Sequence, residues 1–298
     1  MKNKILVTGG LGFVGFNLVR ELLKDEKNDI TIIDNLSSNS SSWENQLHTK
    51  SNRYRIRYII EDINNINLEK YKHFEFNVIY HLGALARIQP SFNAVIPYYY
   101  SNILGTANVC ELARRCNAKI IYAASSSAYA GPMQNPYSFT KYTGEETLKM
   151  YSELFNVSCV SARFFNVYGE RQPISGDYPT VIGIFETQYK NNQALTIVGT
   201  GEQRRDFTHV KDICNGLILL SKNEYKGEIY NLGTGTNYSL NEVAKMFSDN
   251  IRYVPKRPGE AKTTLADLSK SKDIGYVAKI NLKDYVNKFK NEWNEKRD

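Results

Sequence analysis

The sequence predicts an α/β protein: a doubly wound parallel sheet with a smaller C-terminal α/β part to hold substrate. Three observations point there. Short apolar runs alternate with longer amphipathic stretches through the first half of the 298 residues. A glycine-rich turn joins the first run to the first amphipathic stretch, and Asp34 ends the next run. After about Asn166 the alternation loosens into shorter elements separated by loops containing Gly and Pro. Strands separated by helices imply βαβ units, and so a parallel sheet covered on both faces.

The strand candidates in order are residues 5–8, 30–33, 58–60, 78–81, 119–123 and 158–162. The helix candidates are residues 12–24, 68–71, 97–115 and 136–155. Asn135 can cap the last of these, and Pro136 suits its first position. Residues 35–42 are polar and rich in serine, which predicts a surface loop. Ser239 followed by Glu242 is the pattern of a capping box. On this reading residues 1–166 form the dinucleotide-binding part, with some later segments returning to it. Residues 167–298 form mainly the substrate part.

Composition narrows the class. Hydrophobic residues make up 42% and charged residues 23%, as in soluble globular proteins. No run of 18 apolar residues exists, so no membrane-spanning helix is expected. The first residues lead straight into an apolar strand, leaving no room for a signal-peptide core. Cys110, Cys116, Cys159 and Cys214 are scattered, with no C-x-x-C pair. The expectation is four packed thiols in a cytoplasmic protein, with no disulfide and no metal. The net charge of +7 suits a polyanionic ligand such as a nucleotide diphosphate, and no nucleic-acid-binding signature accompanies it.

Residues 7–15 end a strand, turn through Gly9, Gly10 and Gly12, and open a helix at Phe13, Val14 and Gly15. Glycines there permit a tight turn and close approach of a pyrophosphate to the helix N-terminus. Asp34 lies 19 positions beyond Gly15. A carboxylate at that place accepts hydrogen bonds from a ribose and repels a 2′-phosphate, which favours NAD over NADP on a Rossmann-type sheet. The plain alternative is a strand-turn-helix that holds no nucleotide.

Tyr137 and Lys141 are four residues apart on a predicted helix and share one face. Ser125, Ser126 and Ser127 follow a predicted strand, at the carboxyl edge where open α/β sheets bind ligands. Oxidising an alcohol by hydride loss requires a base near neutral pH. Free tyrosine titrates near about 10, so reaching about 7 takes roughly 4 kcal/mol of preference for the phenolate. An ammonium about 4 Å away supplies that order at an effective dielectric of about 20. Ser125 can then hydrogen-bond the reacting oxygen. Without the glycine turn and the serines, a Tyr–Lys pair at this spacing would be an ordinary surface pair.

With these motifs in place the sequence resembles the extended short-chain dehydrogenase/reductase family, in particular its nucleotide-sugar 4-epimerases, over nearly the whole chain. The markers are residues 8–15, 34–36, 61–63, 81–84, 102–106, 125–127, 137–141, 163–169, 201–210, 230–233 and 257–260. The resemblance implies that Asn35, Asp62 and Ile63 belong to the cofactor site, the latter two at the adenine. It puts Leu82, Gly83 and Ala84 beside the ribose and phosphates, and counts Asn102, which helps order the site, together with Tyr137 and Lys141 among the cofactor-binding residues. Ser126, Ser127, Asn166, Arg205, Arg257 and Thr264 fall on substrate positions; guanidinium groups suit a diphosphate on chemical grounds as well. His81 is expected to be a packed histidine. Tyr98, Tyr99 and Tyr100 are expected to pack a helix, and helices 97–115 and 136–155 resemble those that form the family's homodimer.

The family's 4,6-dehydratases carry an Asp-Glu pair where this chain has Ser126 and Ser127, which disfavours dehydration. The reaction implied is 4-epimerisation of a UDP-sugar through a transient 4-keto sugar, with NAD retained. Thr264 falls on the position that gates sugar size, and its small side chain points to a UDP-N-acetylhexosamine or a mixed UDP-hexose range; a UDP-hexuronate is an alternative. Two departures stand out. Gly83 replaces the family's alanine, and Tyr137 follows Ser125 by only 12 positions, where the family has a longer substrate-edge loop. Competing readings are a dehydratase, a decarboxylase, a net oxidoreductase, and a non-catalytic dinucleotide-binding protein.

Overall fold

The computed structural model describes residues 2–38, 47, 52–71, 73–176 and 179–296. Seven parallel strands form the main sheet: β1 (Asn3–Thr8), β2 (Asn28–Asp34), β3 (Ile56–Ile60), β4 (Val78–His81), β5 (Lys119–Ser125), β6 (Cys159–Phe164) and β7 (Lys226–Leu232). Their spatial order is β7-β6-β5-β4-β1-β2-β3. The strand order reverses at β1, which lies between β2 and β4, so a crevice opens there at the carboxyl ends. All six candidate strands form, and the seventh comes from beyond residue 166.

These segments are strands because they are apolar on both faces. Ile5, Leu6 and Val7 are at most 1% exposed, which a sheet covered on one side could not achieve. Helix α1 (Phe13–Leu22) packs on one face of the sheet and α2 (Gly105–Cys116) and α3 (Pro136–Phe155) on the other. Asn135 caps α3 by accepting a hydrogen bond from the Ser138 amide at 2.8 Å, and the helix ends at Asn156 in the left-handed conformation.

The expected helix over 97–115 is instead three joined segments. Val95–Tyr99 is α-helical, Tyr100–Leu104 makes one wide π turn, and α2 follows. The wide turn shifts the phase of the helix and brings Tyr100, Ser101 and Leu104 to the edge of the crevice. Tyr98 packs in the interior and Tyr99 stacks on Phe139, whereas Tyr100 faces the crevice. The expected helix at 68–71 is a single 3-10 turn.

Beyond residue 166 three short strand pairs form: Val167–Tyr168 with Thr208–His209, Leu195–Val198 with Ile251–Val254, and Arg204–Asp206 with Asn237–Ser239. Helices Val181–Lys190, Leu240–Phe247 and Leu282–Asn294 enclose a separate core around Phe185, Ile197, Val243 and Val286. The Ser239–Glu242 capping box is present. Residues 39–42 of the serine-rich stretch, 177–178 of the loop before Pro179, and Arg297 of the basic tail lie outside the described residues. All four cysteines are free, and three are buried. Among the described residues no helix is long and apolar enough to cross a membrane.

Leu148 ties α3 to the sheet and is fully buried. Leu148→Ala should lower stability by about 2–5 kcal/mol, read as a shift of the urea-unfolding midpoint. A loss below about 1 kcal/mol would mean that α3 is held elsewhere.

Candidate active site

A single cavity of about 1000 Å³ runs along the carboxyl edge of the sheet, from the glycine turn at one end to the residues around Arg205 at the other. Every predicted site residue lines it except Asn102: Gly9, Gly12, Phe13, Val14, Gly15, Asp34, Asn35, Asp62, Ile63, Leu82, Gly83, Ala84, Ser125, Ser126, Ser127, Tyr137, Lys141, Asn166, Arg205, Arg257 and Thr264.

The glycine turn is sterically over-determined. Gly9 has φ 66°, and a Cβ on it would meet the Gly83 backbone at 2.7 Å. A Cβ on Gly15 would lie 2.1 Å from the Gly9 carbonyl oxygen. The N-terminus of α1 has no side-chain cap and no acidic residue in its first turn. Its amides face the cavity and no carboxylate of its own first turn opposes an anion there, which fits a pyrophosphate. Asp34 accepts hydrogen bonds from the Leu11 and Leu36 amides, each at 2.9 Å. Burial raises its pKa and those two amides lower it. Asp62 caps a short 3-10 turn by accepting from the Asn64 amide, and takes a second bond from the Asn35 side chain at 2.9 Å. These residues fit a dinucleotide.

Asn102, expected among the cofactor-binding residues, lies outside the cavity lining. It is fully buried, and its side chain accepts from the Leu85 amide and donates to the Leu85 carbonyl and Thr140 Oγ1. It orders the segment after β4 and does not reach the cavity. His81 is packed as expected. It bonds Thr8 and Thr106, and burial together with the Lys141 charge lowers its pKa to about 3.

At the middle of the cavity the electrostatics differ from the expected pairing. Burial raises the Tyr137 pKa, opposed by a hydrogen bond with Ser125 and by the positive charge of Arg87. Lys141 lies over the face of Tyr122, its ammonium 4.4 Å from the ring centroid. Burial brings the Lys141 pKa down to about 7, against the opposing charge of Glu145. Desolvation of both partners explains the difference, because a buried ammonium is itself hard to keep charged. Glu145, one helical turn beyond Lys141, is bound by Arg163 through two hydrogen bonds of 2.8 and 2.6 Å. Sequence reasoning missed Arg87, Glu145 and Arg163; for Glu145 the i,i+4 spacing from Lys141 was the available signal.

The substrate end is framed by Asn166, Arg205, Arg257 and Thr264. Asn166 donates to the Asp206 carbonyl at 2.9 Å and reaches Thr264 Oγ1 at 3.5 Å. Arg205 pairs with Glu260 at 3.6 Å, and burial lowers its pKa. Ser127 Oγ is buried without a hydrogen-bond partner at the cavity wall. The short connection from Ser125 to Tyr137 forms two 3-10 turns, Ser126–Ala130 and Pro132–Gln134. The 258–260 segment closes over it: Asn135 donates to the Gly259 carbonyl and Gln89 to that of Pro258. The rim therefore comes partly from the C-terminal half.

Residues 5–233 match the model of the NAD dependent epimerase/dehydratase family. The chain belongs to that family. A putative UDP-glucose 4-epimerase of Methanocaldococcus jannaschii is 31% identical over 96% of this chain and 97% of that protein. UDP-glucuronic acid decarboxylase 6 of Arabidopsis thaliana is 29% identical over 94% of this chain and 86% of that protein. Among solved structures, the UDP-N-acetylglucosamine 4-epimerase of Methanobrevibacter ruminantium with UDP-N-acetylmuramic acid is 30% identical, covers both chains fully and has a TM-score of 0.86. The UDP-glucuronic acid 4-epimerase of Bacillus cereus with UDP-glucuronic acid and NAD is 28% identical, covers 98% of this chain and 99% of that one, and has a TM-score of 0.87.

The Lys141 pKa makes a stability prediction. Its folded pKa of about 7 lies below the ordinary value of 10.5, so between those pH values the unfolded chain binds the extra proton. The Lys141 contribution is present above 10.5 and is lost as pH falls through about 7. The stability of the wild type relative to Lys141→Met should therefore rise from pH 7 to pH 9 in urea titrations. A pH-independent difference would contradict a depressed Lys141.

Proposed function

We propose that this protein interconverts C4 epimers of a UDP-sugar, with UDP-N-acetylhexosamines or a mixed UDP-hexose range as substrates. The observation that carries the reading is that Ser125, Tyr137 and Lys141 share one cavity with a glycine turn and Asp34 on one side and Arg205 and Arg257 on the other. NAD, when bound at Gly9–Gly15, Asp34 and Asp62, supplies the acceptor and donor for the C4 hydrogen. Tyr137 Oη takes the proton of the C4 hydroxyl and returns it. Ser125 hydrogen-bonds the reacting oxygen, and Lys141 holds positive charge behind it. Asn166, Arg205 and Arg257 hold the nucleoside diphosphate, about which the 4-keto sugar turns to present its other face to the same phenol. Ser126 and Ser127 offer no carboxylic acid for loss of water, and Thr264 leaves room beside the sugar.

We place the protein in the cytoplasm as a homodimer built on residues 95–116 and α3. Val95, Ile96, Met150 and Leu154 on these helices are exposed apolar side chains, outside the cavity lining, that a second copy would cover.

Incubation of the purified protein with UDP-GlcNAc, UDP-glucose and UDP-glucuronate, resolved by NMR, tests the reaction. The expected product is the C4 epimer of the first or second. A 4-keto-6-deoxy sugar or a UDP-pentose with CO2 release would replace this reading by dehydration or decarboxylation. Tyr137→Phe should lower turnover by about 10²-fold or more while retaining NAD binding, measured by calorimetry. Undiminished turnover would show that another group is the base.

A further inference from the structure

Arg87 occupies backbone that an arginine rarely adopts. Its φ of 76° and ψ of 145° fall in a region that is glycine's, outside the left-handed pocket tolerated by Asn117 and Asn156. The surrounding structure fixes it there. The buried Tyr98 hydroxyl donates to the Ala86 carbonyl and, at 3.0 Å, to the Arg87 carbonyl. Asn102 grips both backbone groups of Leu85. The helix that begins after Arg87, Ile88–Asn93, accepts the Tyr137 amide on Ser91 Oγ at 3.2 Å. The Tyr98 ring meets Tyr137 edge-on, with centroids 6.3 Å apart. The half-buried Arg87 side chain lines the cavity with Tyr137. Strained backbone held this firmly at a site edge is characteristic of a residue placed for function.

We propose that Arg87 is a positioning residue that supplies the fixed positive charge favouring the phenolate of Tyr137, a task that Lys141 only shares. The proposal rests on Tyr137 being the base, as above. Burial lowers the Arg87 pKa too, opposed by Tyr137 and Tyr98, but a guanidinium starts from so high a value that it stays charged at physiological pH, whereas a buried ammonium does not. The charges of Arg87 and Tyr137 act on one another, and Arg87 also acts on Tyr98. Among the described residues the other titratable groups around Tyr137 are Tyr98, edge-on to its ring, Tyr122 from β5 and Lys141 from α3, with His81 from β4 and Glu145 beside Lys141. Among these, Arg87 is the cation that does not titrate in the working range.

Glycine at position 87 removes the charge while relieving the backbone, so charge and folding separate in one variant. Protein labelled with 13C at tyrosine Cζ, purified with its cofactor, is titrated by NMR. The Tyr137 signal is assigned by its loss in Tyr137→Phe. Arg87→Gly should raise the Tyr137 pKa by about one unit or more, and Arg87→Lys should keep most of the wild-type value. The thermal midpoint of Arg87→Gly should be unchanged or higher, and the acid limb of kcat/KM should move to higher pH by the same shift. A Tyr137 signal that titrates at the same pH in wild type and Arg87→Gly, or in neither, overturns the proposal. A raised KM with an unmoved pH profile also overturns it, making Arg87 a substrate contact. Absence of epimerisation by the wild type would instead sink the proposed function, while the titration still decides the role of Arg87.

Discussion

An ammonium is buried beneath the carboxyl edge of the sheet, and the site is organised around keeping it there. Lys141 is 5% exposed, and an uncompensated charge at that depth costs several kcal/mol. Compensation comes from the π face of Tyr122 and from the carboxylate of Glu145, which Arg163 fixes with two hydrogen bonds. Glu145 is on α3 and Arg163 on β6, so the pair also fastens the helix that carries Tyr137 to the sheet. Fold and chemistry thus depend on the same contact. Removing either partner would leave a charge stranded beneath Lys141.

From that fixed point the cavity extends both ways. Toward β1 and β2 it meets an α1 N-terminus free of side-chain caps and of acidic residues in its first turn, with close backbone packing that excludes any side chain at Gly9 or Gly15. Toward the C-terminal half it meets Arg205 and Arg257, which suit a second phosphate-bearing ligand. Tyr137 lies between them. One cavity accommodating two phosphorylated ligands with a phenol at their junction accords with membership of the epimerase/dehydratase family.

Much of this was legible in the sequence because it follows from period and spacing. The six strands are apolar runs, and Asn135-Pro136 and Ser239-x-x-Glu242 announce their helices. What escaped depends on three-dimensional context. The π turn at Tyr100–Leu104 leaves the apolar pattern continuous, so a plain helix was expected, with Tyr100 packed rather than facing the cavity. Asn102 carries a site motif, yet its amide is consumed by the Leu85 backbone. The Tyr137–Lys141 spacing suggested direct acidification of the phenol, but desolvation acts on both groups and an arginine from another segment enters. The short Ser125–Tyr137 connection looked like a missing rim, and residues 258–260 close over it from more than a hundred positions away.

The most direct test of the account follows the hydrogen at C4. A UDP-sugar deuterated at C4 is converted in ordinary water and the product is examined by NMR and mass spectrometry. Retention of the deuterium at C4 of the epimer is predicted, because the atom removed from that carbon returns to it within the closed cavity. Loss of the label to water, or its appearance at C6, would contradict the account.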